Sequence, residues 1–243
     1  MENIKISFNP KQKHLEEIGE WMIEEKQMPL SQNGNWSAIV TAFENKKLII
    51  ATRKNITVGF YTISFSMFTI SIDVAEINPK FRKKGIGKLL LAEIIRKYQR
   101  KEIYALHLFC APESSQNTWK KLGFKYYLNN SSNDRSSKIE MYRIIKPVLF
   151  PKKNNPDLEH EVIEVWNDEP HKTNNENPTW IWKLQYIKNT NILKKPIVHF
   201  GEYSWRIRWR KGNVVYSDGK YKWFDTKNEE FNCMVIKETP KLK

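Results

Sequence analysis

A short basic stretch, Arg82-Lys-Lys-Gly-Ile-Gly-Lys88, holds the residues whose types and spacing most directly suggest chemistry. Gly85 and Gly87 have no Cβ, so the backbone amides around them can approach a ligand closely. A helix that starts here adds unpaired N–H donors and a partial positive charge at its first turn. Mobile positive charge around the same point comes from Arg82, Lys83, Lys84 and Lys88. Together these features predict an anion site, and a diphosphate fits it well.

Two elements of regular structure must position this stretch. Phe68–Ile77 alternates and is rich in β-branched and aromatic residues, which predicts a strand. An apolar repeat at helical spacing follows Gly85, made by Ile86, Leu90, Ile94 and Tyr98. The order is therefore strand, basic glycine loop, helix. Taken alone, a G-x-G motif favours a solvated loop that caps an ordinary helix. The residues around the motif are needed to distinguish this interpretation from an anion site.

That context includes a second motif, Thr118-Trp-Lys-Lys-Leu-Gly-Phe124. The pattern Arg82-x-x-Gly85-x-Gly87, placed between a strand and an amphipathic helix, resembles the acetyl-CoA-binding motif of the GNAT superfamily of N-acetyltransferases. The second motif resembles the short helix of the same family that ends in Leu-Gly-Phe and enters the next strand. The resemblance covers about residues 3–146 and implies a mixed α/β sheet with acetyl-CoA as the co-substrate.

The resemblance also implies which residues hold the coenzyme. The loop and helix start, Arg82, Lys83, Lys84, Gly85, Ile86, Gly87 and Lys88, would bind its diphosphate. Backbone groups around Ala75 and Ile77 would pair with the pantetheine arm. Many relatives carry a tyrosine, as proton donor to the coenzyme thiolate, where this chain has Trp119. Because an indole does not titrate usefully, Trp119 is in doubt as an acid and is expected to pack against the pantetheine instead.

The implied reaction is acetyl transfer to an amine of a small molecule, peptide or protein, without a covalent enzyme intermediate. Some relatives carry a general base on the strand before the glycine loop, where this chain has Glu76 and Asp73. His107, on the facing strand, titrates in a useful range. Side chains alternate along a strand, so Glu76 cannot share a face with Ala75 and Ile77. The candidate bases are Glu76 and His107, each with an ordinary packed or solvent-facing role as the competing interpretation.

Further elements are expected on both sides of the two motifs. The apolar patterns predict helices at Lys11–Glu25, Trp36–Glu44 and Gln116–Leu122, and strands at Ile4–Phe8, Lys47–Arg53, Ile56–Phe65, Ile103–Cys110, Phe124–Leu128 and Ile139–Ile145. Trp21, on the first helix, either lines an acceptor pocket or belongs to the core, and the core is favoured.

Composition places the chain among globular proteins. It has 243 residues, 40% hydrophobic and 13% aromatic, enough for one large domain or two modest ones. The two cysteines, Cys110 and Cys233, lie far apart in the sequence and form neither a disulfide framework nor a zinc spacing, and no metal is predicted. The sequence contains no apolar run long enough to span a membrane. These features predict a protein of the cytoplasm.

The net charge of +14 is spread unevenly. Residues 1–146 carry a balance of +10, residues 147–180 of −4 and residues 181–243 of +8. A basic protein meets polyanions readily, and coenzyme A, RNA and DNA all qualify. The alternative to a small-molecule or peptide acceptor is therefore a nucleic-acid-directed protein, which acetylates aminoacyl-tRNA or binds RNA or DNA. Lysine-rich composition that only maintains solubility explains the charge equally well.

The composition of the chain changes after a proline-rich segment. Residues 1–146 are predicted as the acetyl-CoA-binding domain, 147–156 as a linker and 157–243 as a mostly antiparallel β domain of unknown role. We expect the second domain to shape acceptor choice or to pair two subunits. Gly212-Asn213 and Asp218-Gly219 are turn signals within it.

One strand of the second domain has an aromatic face and an arginine face. Trp205 and Trp209 alternate with Arg206, Arg208 and Arg210. The favoured interpretation is a half-buried strand, with aromatics in the core and arginines in water. A phosphate-tracking surface and a dimer interface are the alternatives.

Overall fold

The computed structural model of the chain describes residues 4–127, 139–152, 159–224, 229–230 and 233–240. Within these ranges the chain forms two compact units. The first unit comprises residues 4–126 and 139–145, and the second comprises Tyr127 and residues 146–240. None of the helices that the described ranges contain is long and apolar enough to cross a membrane.

The first unit is built on one mixed sheet. Its strands are β1 (Ile4–Ser7), β2 (Leu48–Arg53), β3 (Ile56–Phe65), β4 (Thr69–Ile77), β5 (Ala105–Cys110), β6 (Lys125–Tyr126) and β7 (Ile139–Ile144), and its helices are α1 (Gln12–Lys26), α2 (Trp36–Glu44), α3 (Ile86–Tyr98) and α4 (Gln116–Lys121). The strand order is β1-β2-β3-β4-β5-β7-β6, and only β4 and β5 run parallel. The predicted α/β fold and each predicted element are confirmed, although Leu128 lies outside the described residues.

Helices cover this sheet on both faces. On one face, Ile86, Leu90 and Ile94 of α3 are buried against the sheet, as their spacing predicts. On the other face, α1 and α2 bury Ile18 and Ile39. Each fully buried side chain of this size contributes about 1.5–3 kcal/mol from removal of its apolar surface from water. The α3 face and the α1–α2 face of the sheet are therefore both closed by apolar packing.

A β-bulge in β4 changes how this strand continues toward the glycine loop. In the pairing with β3, Val74 lies opposite Thr62 and Ile72 opposite Ile63, which leaves Asp73 as the extra residue. The hydroxyl of Thr62 accepts the Val74 N–H at 2.9 Å, so the displaced amide stays bonded. The pairing of β4 with β5 covers only Thr69–Ser71, in parallel register with residues 105–107. Beyond Ser71 the described parts of β4 and β5 are not paired with each other.

The second unit consists of antiparallel strands in two sheets. The strands are β8 (Glu161–Val165), β9 (Trp180–Lys183), β10 (Ile192–Phe200), β11 (Arg206–Lys211), β12 (Val214–Lys220), β13 (Glu229–Glu230) and β14 (Cys233–Glu238). The sheet orders are β12-β11-β8-β9 and β10-β14-β13. Trp182, Trp205 and Trp209 are buried in one core cluster, which confirms that the aromatic face of β11 is a core face. The predicted antiparallel architecture is confirmed.

The arginine face of β11 departs from the prediction that these side chains lie in water. Arg208 and Arg210 both bond to Glu164 of β8, whose side chain is only 1% exposed. Arg206 makes two hydrogen bonds to Asp218 of β12. The prediction was wrong because the neighbouring strands present carboxylates on the same face of the sheet. These arginines are held by carboxylates and do not form an open phosphate-tracking row.

The turn and linker predictions have mixed outcomes. Residues 212–213 form the predicted turn between β11 and β12, with Gly212 at φ 57°. The prediction of a turn at Asp218-Gly219 was wrong, because Gly219 pairs with Ile207 inside the β11–β12 ladder. Within the predicted linker, Leu149 bridges to Ile197 and therefore lies on the second unit. Residues 153–156 of the linker are outside the described residues.

His199 of β10 makes the stability of the second unit dependent on pH. Burial among Trp180, Trp182 and Trp205 lowers the pKa of this imidazole from 6.5 to about 4. Because the unfolded chain takes up the proton first, stability is complete above pH 6.5 and is lost as the pH falls toward 4. We expect a loss of about 2 kcal/mol between about pH 7 and pH 5.

Urea unfolding at several pH values, followed by tryptophan fluorescence, measures this loss. The His199→Phe variant, which cannot take up the proton, should lose about 2 kcal/mol less than the wild type over the same range. Equal losses in both proteins would show that His199 is not the group responsible.

Candidate functional site

At the end of β4, backbone groups on one edge point away from β3. The amide of Asn78 donates to the carbonyl of Val58 at 3.1 Å, which places residues 78, 76 and 74 in the pairs that bond to β3. In an antiparallel ladder the intervening residues direct their N–H and C=O groups the other way. Ala75 and Ile77 therefore present these groups toward the side where β5 has diverged. An extended ligand that carries amide groups can pair with this edge.

The start of α3 supplies the anion-binding end of the site. Gly85 is the residue before the helix, at φ 76°, and no side chain caps the helix start. The amides of Ile86, Gly87 and Lys88 thus have no partner within the helix, whose first backbone bond is Leu89 N–H to Gly85 C=O. A Cβ built on Gly85 would meet no atom within 4 Å, so the space beside it is open. This geometry suits a diphosphate.

Tyr61 of β3 fixes the first turn of α3 against the sheet. Its hydroxyl donates to the Gly87 carbonyl at 3.1 Å, and the same oxygen would lie 3.1 Å from a Cβ on Gly87. Burial raises the pKa of the Tyr61 phenol, which keeps the hydroxyl protonated as a donor. Gly87 is therefore required for close packing of helix and sheet, whereas Gly85 is required by its positive φ.

Among the predicted basic residues, Arg82 forms hydrogen bonds to other residues of the protein. Its guanidinium donates to Glu25 of α1 at 2.5 Å and to the Ile77 carbonyl at 2.9 Å. Lys84 donates to the Lys80 carbonyl at 3.1 Å and lies over the Phe81 ring. Arg82 thus ties the glycine loop to α1 and to the end of β4. Lys83 and Lys88 are exposed beside the helix start, where they add positive charge.

Glu76 and His107 lie on the same face of the sheet but far apart. Glu76 approaches Lys26 of α1 at 3.5 Å, so it belongs to the α1–α2 face. His107 is in register with Ser71, on the β5 strand, and Leu106 and Leu108 beside it point to the α3 face. Glu76 lies five positions after Ser71 along β4, which is about 16 Å of strand. The structure does not bring the two candidate bases within hydrogen-bond reach of each other.

Trp119 lies in the core beneath the α3 face. Its ring is 6.0 Å from that of Tyr61 and 5.2 Å from that of Phe124. The side chain is 9% exposed. This placement agrees with a packing residue and offers no titrating group at the position where many relatives carry tyrosine.

A cavity that the sequence did not predict lies beside the end of α1. It measures about 280 Å³ and is lined by Trp21, Glu24, Glu25, Asn78, Pro79 and Lys80. Its residues come from α1 and from the turn that follows β4, two segments that are far apart in sequence. The one available signal was the position of Trp21 on the apolar stripe of α1, which predicts a core residue just as well.

The described residues contain no group of three or more His, Cys, Asp or Glu side chains that could hold a metal ion. Cys110 and Cys233 are buried free thiols. Cys110 lies at the end of β5 within the core, as predicted for a small apolar residue.

Residues 15–124 match the model of the acetyltransferase (GNAT) family, and residues 125–243 lie outside that match. A search of curated proteins gave no match.

Three solved structures align with a little over half of this chain at low sequence identity. Ard1 from Thermoplasma volcanium is 19% identical, with a TM-score of 0.47 over 58% of this chain and 97% of its own. The PaiA N-acetyltransferase from Thermoplasma acidophilum, solved with coenzyme A, is 18% identical, with a TM-score of 0.45 over 58% and 99%. A GNAT-family acetyltransferase from Staphylococcus aureus Mu50 is 18% identical, with a TM-score of 0.48 over 59% and 100%.

Proposed function

We propose that residues 15–124, which match the model of the acetyltransferase (GNAT) family, form an acetyl-CoA-dependent acetyltransferase domain, and that the protein transfers the acetyl group to an amine of a small molecule, peptide or protein. The observation that carries the proposal is the presence of two complementary binding features within one short stretch. The β4 edge at Ala75 and Ile77 is followed, eight residues after Ile77, by the uncapped start of α3 at Gly85. A ligand with an amide-bearing arm and a diphosphate matches both features.

The chain's own residues then have distinct roles toward the coenzyme. The N–H groups of Ile86, Gly87 and Lys88 hold the diphosphate, with Lys83 and Lys88 as mobile cations. Arg82 and Lys84 position the loop through their contacts with Ile77 and Lys80. The backbone of Ala75 and the N–H of Ile77 pair with the pantetheine arm, and Trp119 packs below it as part of the core.

The chemistry requires a neutral amine and a leaving thiol. Acetyl-CoA supplies a thioester, so the amine nitrogen bonds to the carbonyl carbon, the C–S bond breaks, and the coenzyme leaves as the thiol after gaining the proton that the amine loses. We assign Glu76 as the group that takes up this proton, directly or through a water. It lies on the face of the sheet opposite α3, where α1 and α2 pack, and Lys26 Nζ lies 3.5 Å from its Oε1.

Replacing Glu76 with glutamine should lower kcat about 10²–10⁴-fold, because a general base contributes on this scale. Acetyl-CoA affinity should stay unchanged, since the Glu76 side chain lies on the face opposite α3. Steady-state kinetics with a fixed amine, together with an acetyl-CoA titration, separates the two effects. Glu20→Gln, an exposed carboxylate on α1, is the matched control. A larger loss in His107→Gln than in Glu76→Gln would transfer the assignment to His107.

The proposed reaction is tested by release of coenzyme thiol. Wild-type protein with acetyl-CoA should release thiol only when an amine is present, and the product should gain one acetyl group by mass spectrometry. Release that never depends on any amine would contradict the proposal. Acetylation of aminoacyl-tRNA alone, with no small amine accepted, would favour the nucleic-acid-directed alternative, whose binding should weaken steeply with salt.

The family match does not cover the second unit, and its role stays a prediction. We propose that it influences acceptor choice or pairs two subunits, and that the protein works in the cytoplasm. The carboxylates that hold Arg206, Arg208 and Arg210 count against β11 as a nucleic-acid surface.

A further inference from the structure

One arginine of β11 has hydrogen-bonding capacity that the protein does not use. All three guanidinium nitrogens of Arg206 and of Arg210 donate to acceptors in the second unit. Arg208 donates only through Nε, to Oε2 of Glu164 at 2.7 Å, and its Nη1 and Nη2 have no partner among the described residues. Its side chain is 25% exposed, and neither Nη1 nor Nη2 is a buried atom. A ligand can therefore reach both nitrogens.

The guanidinium of Arg208 is held in place by two contacts. The carboxylate of Glu164, which is 1% exposed, fixes Nε, and Cζ lies 4.9 Å from the centre of the Trp166 ring. Trp166 is itself buried, and its indole N–H donates to the Glu176 carbonyl at 2.9 Å. A guanidinium is planar, so a bonded Nε and a ring against its flat side fix the direction of the other two nitrogens. Little side-chain freedom remains to be lost when a ligand binds them.

The charges on this face of the sheet leave an excess of positive charge. The three arginines share only two carboxylates, those of Glu164 and Asp218. The neighbouring pair of Lys220 and Glu169 is balanced. Lys183 of β9 faces the same side, since it lies opposite a β8 residue two positions from Glu164, and it forms no ion pair with a described residue. An anion at Arg208 would thus meet uncompensated positive charge.

The carboxylates beside Arg208 determine which anion fits best. A carboxylate accepts two parallel hydrogen bonds from the two nitrogens of a guanidinium edge, and a phosphate can do the same. A phosphate group carries a charge of about −1.5 to −2 at pH 7. Glu164 and Asp218, the residues opposite Arg208 on β8 and β12, would therefore repel it more strongly than they repel a carboxylate. A singly charged carboxylate is the better partner.

We propose that Arg208 binds one carboxylate group, which accepts from Nη1 and Nη2 together. Lys183, two strands away at about 10 Å, adds longer-range attraction. The carboxylate of a small acid and the side chain of an acidic residue in a peptide share this chemistry. The site lies within the second unit and does not depend on acetyl transfer. It gives this unit a binding activity of its own, the recognition of an acidic group.

Four probes test this recognition in the full-length protein, at constant ionic strength and without acetyl-CoA. They are N-acetylglycine, aspartate blocked as its N-acetyl methylamide, asparagine blocked in the same way, and inorganic phosphate. NMR shifts of the β11 backbone amides and of the Arg208 Nε–H group report binding. We expect both carboxylates to bind at least about tenfold more tightly than blocked asparagine, and about threefold more tightly than phosphate. The tighter of the two carboxylates identifies a free acid or an acidic side chain as the natural source.

Arg208→Lys tests the paired N–H groups, because it keeps a cation beside Glu164 and removes the planar pair of donors. It should weaken both carboxylates about tenfold. The Nε–H signal of Arg210, which is also bonded to Glu164, should stay in place and show that the network is intact.

Lys183→Gln tests the charge without changing any contact of Glu164, and it should weaken both carboxylates about twofold to threefold. Lys188→Gln, at an exposed cation in the turn before β10, removes the same charge elsewhere and is the matched control, which should change nothing.

Three results would overturn the proposal. The first is equal affinity for blocked aspartate and blocked asparagine, and the second is phosphate binding more tightly than either carboxylate. The third is wild-type carboxylate affinity in Arg208→Lys. If that variant shifts the Arg210 signal, Lys183→Gln decides instead, and an affinity equal to that of Lys188→Gln would contradict the proposal. None of these results depends on whether the first unit binds acetyl-CoA.

Discussion

Replacing Gly85 with aspartate is expected to weaken acetyl-CoA binding about 100-fold, a loss of about 2.7 kcal/mol. The new carboxylate would stand at the uncapped start of α3, where the diphosphate should meet the free N–H groups. Its charge would repel the phosphates and its oxygens would compete for the same donors. Isothermal titration with acetyl-CoA measures the change directly.

Gly85→Asn is the control that isolates charge from backbone strain. Asparagine and aspartate both tolerate the left-handed conformation that Gly85 adopts at φ 76°. Neither new Cβ would meet an atom within 4 Å, so both variants should fold. We expect the asparagine variant to bind acetyl-CoA at least about tenfold more tightly than the aspartate variant. Equal affinities would mean that no anion is bound at this helix start.

Replacing Glu164 with alanine is expected to destabilise the second unit by about 3–5 kcal/mol. This carboxylate is 1% exposed and is the shared partner of Arg208 and Arg210. Its removal leaves two largely buried guanidinium groups without their anion, and removing one partner of a buried ion pair costs far more than the pair contributes. Thermal unfolding followed by tryptophan fluorescence should show a fall in Tm on the order of 10 °C.

Lys172→Ala supplies the comparison within the same unit. It breaks the exposed pair with Asp168, and such surface pairs contribute only about 0–1 kcal/mol. A Glu164→Ala variant that unfolds at the same temperature as Lys172→Ala would show that the arginines find other partners or water.

Local pattern was sufficient to predict the first unit. Ile86, Leu90 and Ile94 recur at helical spacing and share one face of α3. The same residues therefore predict the helix, its boundary and the side that is buried. The alternation of β11 likewise predicted which side of the strand enters the core. Such features depend on neighbours along the chain, which the sequence displays directly.

Features that depend on pairing between distant segments could not be predicted. The partner of Arg208 is Glu164, and nothing in either strand indicates that they share a face until the β8–β11 register is known. The ion pair between Arg82 and Glu25 of α1 could not be predicted for the same reason, since it joins two segments that are distant in the sequence. The cavity lined by Trp21 and Lys80 combines one helix with a remote turn, so it becomes visible only in three dimensions.

Titration of the wild-type, full-length protein with acetyl-CoA tests the central claim most directly. The β4 edge and the α3 start predict saturable binding of one coenzyme per chain, with competition by free coenzyme A, which shares the diphosphate and the pantetheine arm. Absence of binding would contradict the account at its base, because the surface from Ala75 to Lys88 would then have no coenzyme to hold.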